Sequence, residues 1–246
     1  MINDLPLSHS DADLIKMELA IYHATKEYKL ADLGLPALQV IAERLQLELL
    51  LEVFLRDNKT KAEYHNNYHS ICVALNCYEG AVHEQLSEST IRYLVAAALF
   101  HDFNHSGGIL HDEQNVDIAI FGLVKACRQQ RTMSDSDLEQ AIFTLRVTKY
   151  PYDRVPVTMS EMIIRDADLM QAYDSNLVKL KEQYVGLKTE IERMQGITFT
   201  NEEFAAGQQA WFRENVKWQT TWAANKASIR DWERTKQQLV ETMSMP

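Results

Sequence analysis

The sequence predicts an all-α protein, and three observations carry this prediction. The chain of 246 residues has only 8 glycines and 5 prolines, fewer turn-forming residues than a β architecture with many turns needs. Apolar residues recur at helical spacing nearly throughout. No stretch alternates between apolar and polar residues for long enough to predict a strand. We therefore expect one helical domain over residues 1–246, with its core at about 60–225 and the N-terminal helices packed on it.

The N-terminal part of the chain predicts two helices. Ser10 stands before acidic residues and an apolar series, which is typical of an N-cap and a first turn, so a helix is predicted over residues 10–28. A second helix is predicted to begin near Pro36 and to extend to residue 57. Proline suits a first helical turn because the N–H group that it lacks has no partner there.

The next part of the chain predicts four helices separated by short breaks. The second of them contains "YLVAAALF" at 93–100, which is apolar on most faces, so we expect it at the centre of the fold. A Gly-Gly pair at 107–108 separates it from the third helix, and Ser134 or Ser136 caps the fourth. The predicted ranges are about 64–82, 87–102, 112–130 and 134–148.

The last part of the chain begins with a loop and returns to helices. Pro151 and Pro156 frame the predicted loop. Helices are then predicted over residues 158–173 and 175–194, and one or two more over 200–240.

The bulk composition limits the partners that we expect. The net charge of −10 repels the backbone of a nucleic-acid polymer. Cys72, Cys77 and Cys127 have no CxxC spacing and are expected to be buried thiols. The longest apolar run, at 93–100, is too short to cross a membrane, and the N-terminus has no signal-peptide pattern. These features favour a cytoplasmic protein that binds a small molecule.

Paired histidines are the clearest chemical feature of the sequence. Six of the eight histidines fall between positions 65 and 111. His65 and His69 are four residues apart, as are His101 and His105, so each pair can share one helix face. His101 and Asp102 follow an apolar helix. Burying two adjacent polar residues there costs free energy unless they are hydrogen-bonded, ion-paired or bound to a metal. Imidazole and carboxylate ligands predict a site for one or two divalent ions such as Zn, Mn, Mg or Fe.

The remaining histidines are less informative. His9, His23 and His83 are isolated and are expected to be structural. His111 follows the Gly-Gly break and is expected at the rim of the site at most, with Asp112 as a helix cap.

A further ligand is expected to be a carboxylate, since no histidine follows His111. The best candidates lie in "MIIRDADLMQAY", where acidic residues interrupt an apolar helix. Helical spacing places Asp166 on the apolar face and Asp168 on a mixed face. The periodicity mildly favours Asp166 as the further ligand, and both Asp166 and Asp168 remain candidates.

The motifs resemble those of the HD-domain metal-dependent phosphohydrolases over about residues 60–225. "YHNNYHSI" and "HDFNHSG" resemble signatures of class I cyclic-nucleotide phosphodiesterases. With "RDADLMQAY" and "AAGQQAWFRENVKWQTTW" added, the chain is more similar to predicted HD phosphohydrolases of bacteria and phages. The resemblance implies an HD-domain helical bundle. It also implies an enzyme that hydrolyses a phosphoester bond of a small nucleotide, as a cyclic-nucleotide phosphodiesterase or a nucleotide phosphatase.

The resemblance also implies roles for individual residues. It makes His69, His101, Asp102 and Asp168 the metal ligands, and so places Asp168 rather than Asp166 at the metal. Asp102 would bridge two ions if a second one binds. His65 matches the residue that protonates the leaving oxygen in the phosphodiesterases. His105 matches a residue near their second metal.

Substrate contacts are expected from the later part of the chain. Gln208 or Gln209 resembles the glutamine that clamps a base in the phosphodiesterases, and Phe212 and Trp211 could stack on that base. Contacts to phosphate are expected from three basic residues: Lys149, Arg154 and Arg165.

The chain departs from the family patterns at two places. It has "HDEQN" where the phosphodiesterases place an asparagine, and it lacks a later histidine that is common in the bacterial group. An HD-fold di-iron oxygenase and a non-catalytic nucleotide-binding protein are the alternatives, and a homodimer is possible.

Overall fold

Helices are the only regular elements in residues 30–170 and 177–228, which the computed structural model describes. The prediction of an all-α fold is confirmed. The helix predicted over residues 10–28 lies outside the described residues, as does the part of the chain after 228. The ten described helices are α1 (Leu30–Arg44), α2 (Glu48–Asp57), α3 (Asn67–His83), α4 (Glu88–Phe100), α5 (Asp112–Gln130), α6 (Asp135–Arg146), α7 (Met159–Met170), α8 (Leu177–Gln195), α9 (Asn201–Asn215) and α10 (Thr221–Ser228).

Polar side chains begin several of these helices. The Asn66 side chain accepts hydrogen bonds from the N–H groups of Tyr68 and His69, and so fixes the start of α3. Ser134, rather than Ser136, caps α6. At α5 the N-cap position is held by His111, so the expectation that Asp112 is the cap is wrong.

The helix predicted from Pro36 to residue 57 is two helices. Its first part, α1, begins at Leu30 and has Pro36 inside it. The break comes at Gln46, which has a left-handed φ of 55°. The N–H of Leu47 donates to the carbonyl of Ala42, which closes α1. Because Leu45 and Leu47 are both buried, the apolar pattern continues through the break and conceals it.

Helix α4 lies at the centre of the main core, as its apolar sequence predicts. It packs against α2, α3, α5, α6 and α7. Every residue from Leu94 to Phe100 is buried, and the Phe100 ring packs on Phe54 and Phe103. The C-terminal end of α4 therefore delivers His101 and Asp102 into the interior.

A smaller core forms between α8 and α9. Leu180 and Tyr184 from α8 pack on Phe204 from α9. This pair of helices forms one wall of the cavity described below.

Cys72, Cys77 and Cys127 are free and buried, as predicted. None of the helices in the described ranges is long and apolar enough to cross a membrane.

Candidate metal centre

Three helices bring the four expected metal ligands together. His69 lies in the first turn of α3, where the Asn66 cap orients the chain. His101 and Asp102 follow the end of α4, and Asp168 lies in the last turn of α7. Helix α3 packs against both α4 and α7, so residues far apart in sequence meet at one point.

The ligand atoms of these residues are spaced as around a bound ion. His69 Nε2 lies 3.2 Å from His101 Nε2, 3.2 Å from Asp102 Oδ2 and 3.0 Å from Asp168 Oδ1. His101 Nε2 lies 2.9 Å from Asp102 Oδ2 and 3.6 Å from Asp168 Oδ1. Metal bonds of about 2.1 Å separate neighbouring ligand atoms by about 3.0 to 3.4 Å. Ligand atoms of His69, His101 and Asp168 are therefore close enough together to hold a metal ion, and Asp102 Oδ2 lies within 3.2 Å of both imidazole nitrogens.

A backbone contact sets which nitrogen of His101 faces the other ligands. His101 Nδ1 lies 2.7 Å from the carbonyl oxygen of Ala98. A carbonyl oxygen only accepts hydrogen bonds, so Nδ1 carries the proton and donates it. In the neutral ring Nε2 then presents a lone pair, which is the state that a metal ligand needs.

The burial of the group also fits a cation. His69 is fully buried and His101 is 2% exposed. Asp102 Oδ2 is buried and has no hydrogen-bond partner, although two imidazole nitrogens lie within 3.2 Å. A buried carboxylate oxygen without a partner is costly. A cation among these atoms would remove that cost, and the nitrogen and oxygen donors suit Zn, Mn, Fe or Mg.

The charges of the metal-free site are also informative. Burial lowers the pKa of His69, but the neighbouring carboxylates of Asp102 and Asp168 outweigh it and raise that pKa to about 9. Burial likewise opposes ionisation of Asp168, but the neighbouring imidazoles hold the pKa of this carboxyl well below its usual range. Burial lowers the pKa of His101 as well, but Asp102 and Asp168 outweigh it and hold that pKa well above its ordinary value. The carboxylates are therefore ready to bind a cation, while both imidazoles must first lose a proton.

A second group of possible ligands adjoins the first. Atoms of His65, Asp102 and His105 are close enough to hold an ion, and the two imidazole rings are 3.9 Å apart between centroids. His105 Nδ1 accepts a hydrogen bond from the N–H of Gly107 at 3.1 Å. A neutral His105 therefore carries its proton on Nε2 and presents a donor rather than a lone pair. This tautomer suits contact with a phosphate oxygen better than metal ligation.

Glu190 completes the site and was not found from the sequence. Its Oε2 lies 2.5 Å from His65 Nδ1, and its Oε1 accepts the N–H of Tyr64 at 2.6 Å. Burial lowers the pKa of His65, but Asp102 and Glu190 outweigh it and raise that pKa. One signal could have found Glu190, because it shares the apolar stripe of α8 with Tyr184, Leu187 and Ile191.

The structure separates Asp166 from Asp168. Asp166 is fully buried, as its position on the apolar face predicts. Its carboxylate accepts hydrogen bonds from the N–H of Gln219 and from the N–H and hydroxyl of Thr220, at 2.8 to 3.1 Å. Asp166 therefore supports the start of α10, whereas Asp168 joins the ligand group.

A cavity of about 790 Å³ adjoins the metal centre and contains some of the expected substrate contacts. Gln208, Trp211 and Phe212 line it, as do His65 and His105. Gln209 and Arg154 are not among the described residues that line it.

The two other basic residues expected to contact phosphate have protein partners. Lys149 lines the cavity and pairs with Asp153 at 2.6 Å. The Arg165 guanidinium donates to the carbonyls of Val147 and Arg154 and lies over the Tyr152 ring. Arg165 is outside the described lining and holds the loop before α7 in place.

No protein-family model matches this chain, and no curated protein matches it at a significant level.

Proposed function

We propose that this protein is a metal-dependent phosphohydrolase of the HD-domain type, acting on a phosphoester bond of a small nucleotide. One observation carries the proposal: four ligand atoms of His69, His101, Asp102 and Asp168 converge beside a cavity. The Glu190-bound His65 lies at the same place. This set supplies a cation site and a proton donor next to a space for substrate, which phosphoester hydrolysis requires.

The four ligands would hold a divalent metal through two imidazole nitrogens and two carboxylates. When bound, the metal supplies a Lewis acid that lowers the pKa of a water molecule and polarises a phosphoryl oxygen.

His65 supplies the proton for the leaving group. Glu190 accepts a hydrogen bond from the Nδ1–H group and orients the ring, and the raised pKa of His65 favours its protonated form. The oxygen of water forms a bond to phosphorus, and the bond from phosphorus to the ester oxygen breaks. His65 gives its proton to the ester oxygen and regains one from the attacking water. The products are an alcohol and a phosphate.

Other residues position the substrate. The Nε2–H of His105 is placed to donate to a phosphoryl oxygen. The rings of Trp211 and Phe212 offer apolar surface for a base, with the Gln208 amide beside them.

The test is a phosphatase and phosphodiesterase panel with Mn, Mg, Zn or Fe added. We expect product release from at least one of the cyclic mononucleotides, cyclic dinucleotides, nucleoside monophosphates or dNTPs. His101→Ala and Asp102→Ala should lower the rate at least about a hundredfold, since they remove metal ligands. His83→Ala is the matched control, because its side chain is 45% exposed and lies outside the site. Full activity in His101→Ala would rule the proposal out.

A di-iron oxygenase is the second candidate, because the His65, Asp102 and His105 group adjoins the first. The hydrogen bond from Gly107 to His105 Nδ1 weighs against it. Two iron ions per chain with the absorption spectrum of a bridged iron pair, together with no phosphatase activity, would favour this candidate.

A further inference from the structure

The cavity beside the metal centre has a largely apolar and aromatic wall. Its volume is about 790 Å³, and its lining includes Tyr150, Tyr184, Phe199, Trp211 and Phe212. Tyr150 and Trp211 contact each other across this wall, where the indole N–H donates to the Tyr150 hydroxyl at 3.0 Å. Such surfaces bind a bulky apolar or aromatic group by burying it and by stacking on it.

The cavity lining is poor in lysine and arginine, and the cationic form of His65 is already held by Glu190. Six carboxylate side chains line the cavity, whereas Lys149 is the one lysine or arginine among the described lining residues. The Lys149 ammonium is already 2.6 Å from the Asp153 carboxylate. Apart from the carboxylates of the metal centre and Glu190, the lining holds Asp112, Glu113 and Glu203.

This charge distribution limits the number of phosphate groups that the cavity can accept. Proteins that bind several phosphates surround them with arginine, lysine or backbone N–H groups. Here a divalent ion can offset the charge of one phosphate. A second or third phosphate would meet the half-buried Asp112 and the exposed Glu113 and Glu203, and the repulsion between these like charges opposes binding even though solvent screens part of it.

We infer that the substrate carries one phosphate group on a large apolar or aromatic body, and that the site discriminates against di- and triphosphates. This inference rests on the proposed function and narrows its substrate class. The metal centre engages the single phosphate, and the aromatic wall engages the body. Hydrolysis follows the step described above, with the body leaving as its alcohol.

The test compares two pairs of compounds. A nucleoside 5′-monophosphate is compared with the triphosphate of the same nucleoside, and 2-phenylethyl phosphate with ethyl phosphate, which are both alkyl esters and so have similar leaving groups. We expect the metal-loaded full chain to show kcat/KM at least about tenfold higher for the first member of each pair. A triphosphate hydrolysed as well as its monophosphate, or ethyl phosphate hydrolysed as well as 2-phenylethyl phosphate, would overturn the inference and leave the proposed function intact.

Binding of the same compounds gives a second readout that does not need turnover. Trp211 lies in the wall, so its fluorescence should respond to a bound aromatic phosphate. If no compound is hydrolysed but the monophosphate binds more tightly than the triphosphate, the proposed function fails. The inferred discrimination against di- and triphosphates then still holds. Equal or tighter binding of the triphosphate overturns the inference.

A charge-reversal variant tests whether the carboxylates of the lining cause the discrimination against triphosphates. Glu113 lies in the first turn of α5, lines the cavity and contributes to the field at Lys149. Glu113→Lys should lower the ratio of kcat/KM for the monophosphate to kcat/KM for the triphosphate by about fivefold to tenfold. Glu139→Lys makes the same charge change on the exposed surface of α6, outside the lining, and should leave the ratio unchanged. An unchanged ratio in a folded Glu113→Lys protein would overturn the electrostatic explanation.

Discussion

Glu190 shows how one buried side chain can organise several groups at the residue scale. It is 3% exposed, and it accepts hydrogen bonds from the N–H groups of Tyr64 and His65 as well as pairing with His65 Nδ1. Burial opposes its ionisation, yet these contacts hold the pKa of Glu190 below its usual range. A buried carboxylate is thus kept charged beside the ring that we assign as the proton donor.

Glu190→Gln should lower kcat by about tenfold to a hundredfold and leave metal content and KM nearly unchanged. The amide keeps an oxygen for the Tyr64 N–H but removes the negative charge that raises the pKa of His65. Since protonated His65 is the active form, the loss of activity at high pH should begin at a lower pH in Glu190→Gln than in the unchanged protein.

The measurement is kcat against pH for the metal-loaded protein. Glu182→Gln is the control, because Glu182 lies on the exposed side of the same helix. A variant with reduced kcat and an unshifted pH profile would show that Glu190 has only a structural role.

At the element scale, the end of α7 serves two purposes with residues two positions apart. Asp166 points to the start of α10, and Asp168 points to the metal ligands. The two side chains leave the helix on different faces, so one turn joins the folding of the C-terminal helix to the geometry of the site.

Asp166→Ala should therefore affect mainly the stability of the fold, and Asp168→Ala should affect mainly the binding of metal. Removing Asp166 leaves buried donors of Thr220 without a partner and should lower the free energy of unfolding by about 1 to 3 kcal/mol, with metal binding retained. Removing Asp168 should abolish tight metal binding in a folded protein. Urea unfolding and metal content measured on both variants check this, and a reversal of the two results would contradict the assignment.

Helix α8 approaches the segment before α3 closely at Gly186. A Cβ atom there would lie 2.7 Å from the backbone carbonyl oxygen of Glu63. Because backbone cannot move aside as a flexible side chain can, Gly186→Ala should displace α8 and with it Glu190.

We expect Gly186→Ala to lower the free energy of unfolding by about 1 to 3 kcal/mol, as overpacking does. It should also reduce activity. Gly207→Ala is the control, because nothing lies within 4 Å of its added Cβ, and it should raise helix stability by about 0.5 to 1 kcal/mol. Urea unfolding curves measure both variants, and equal stability in the two would refute the close-contact explanation.

At the scale of the whole molecule, the metal centre joins α3, α4 and α7 around the main core. An ion that binds the folded chain and not the unfolded one stabilises the entire fold. The metal-free protein instead has a charged His69 among carboxylates. The two states should therefore respond to pH in different ways.

The sign of this response follows from the pKa of His69. Its ordinary value of 6.5 is raised to about 9 in the folded, metal-free protein. The folded state then binds the proton more tightly than the unfolded chain. The resulting stabilisation is fully present below about pH 6.5 and is lost as the pH rises to about 9.

We predict that the Tm of the metal-free protein falls between pH 6.5 and 9, while the gain in Tm on adding metal grows. Metal affinity should rise about tenfold per pH unit for each proton displaced. Thermal melts with chelator or with added Mn or Zn measure this. His69→Ala should reduce both effects, and His101, whose pKa is also raised, accounts for the pH dependence that remains. A gain in Tm that is independent of pH in the unchanged protein would contradict the prediction.

The sequence by itself determined the helical class and most helix starts, whereas Asp168 was implied by the resemblance to a known family and not by spacing. The helical class and the helix starts depend on local spacing, which the chain carries at every position. The prediction that each histidine pair shares one helix face is wrong, because His65 precedes α3 and both His101 and His105 follow the end of α4. The two pairs meet through the packing of α3 on α4.

Only the tertiary structure decided which buried polar group meets which partner. Periodicity indicates that a face is buried, but it does not identify the group opposite, so it placed Asp166 correctly inside without revealing that Thr220 is its partner. Glu190 reaches His65 across 125 positions, and Arg165 turns away from the cavity to backbone carbonyls. Contacts between residues far apart in the chain depend on how whole helices pack, and local spacing does not encode that packing.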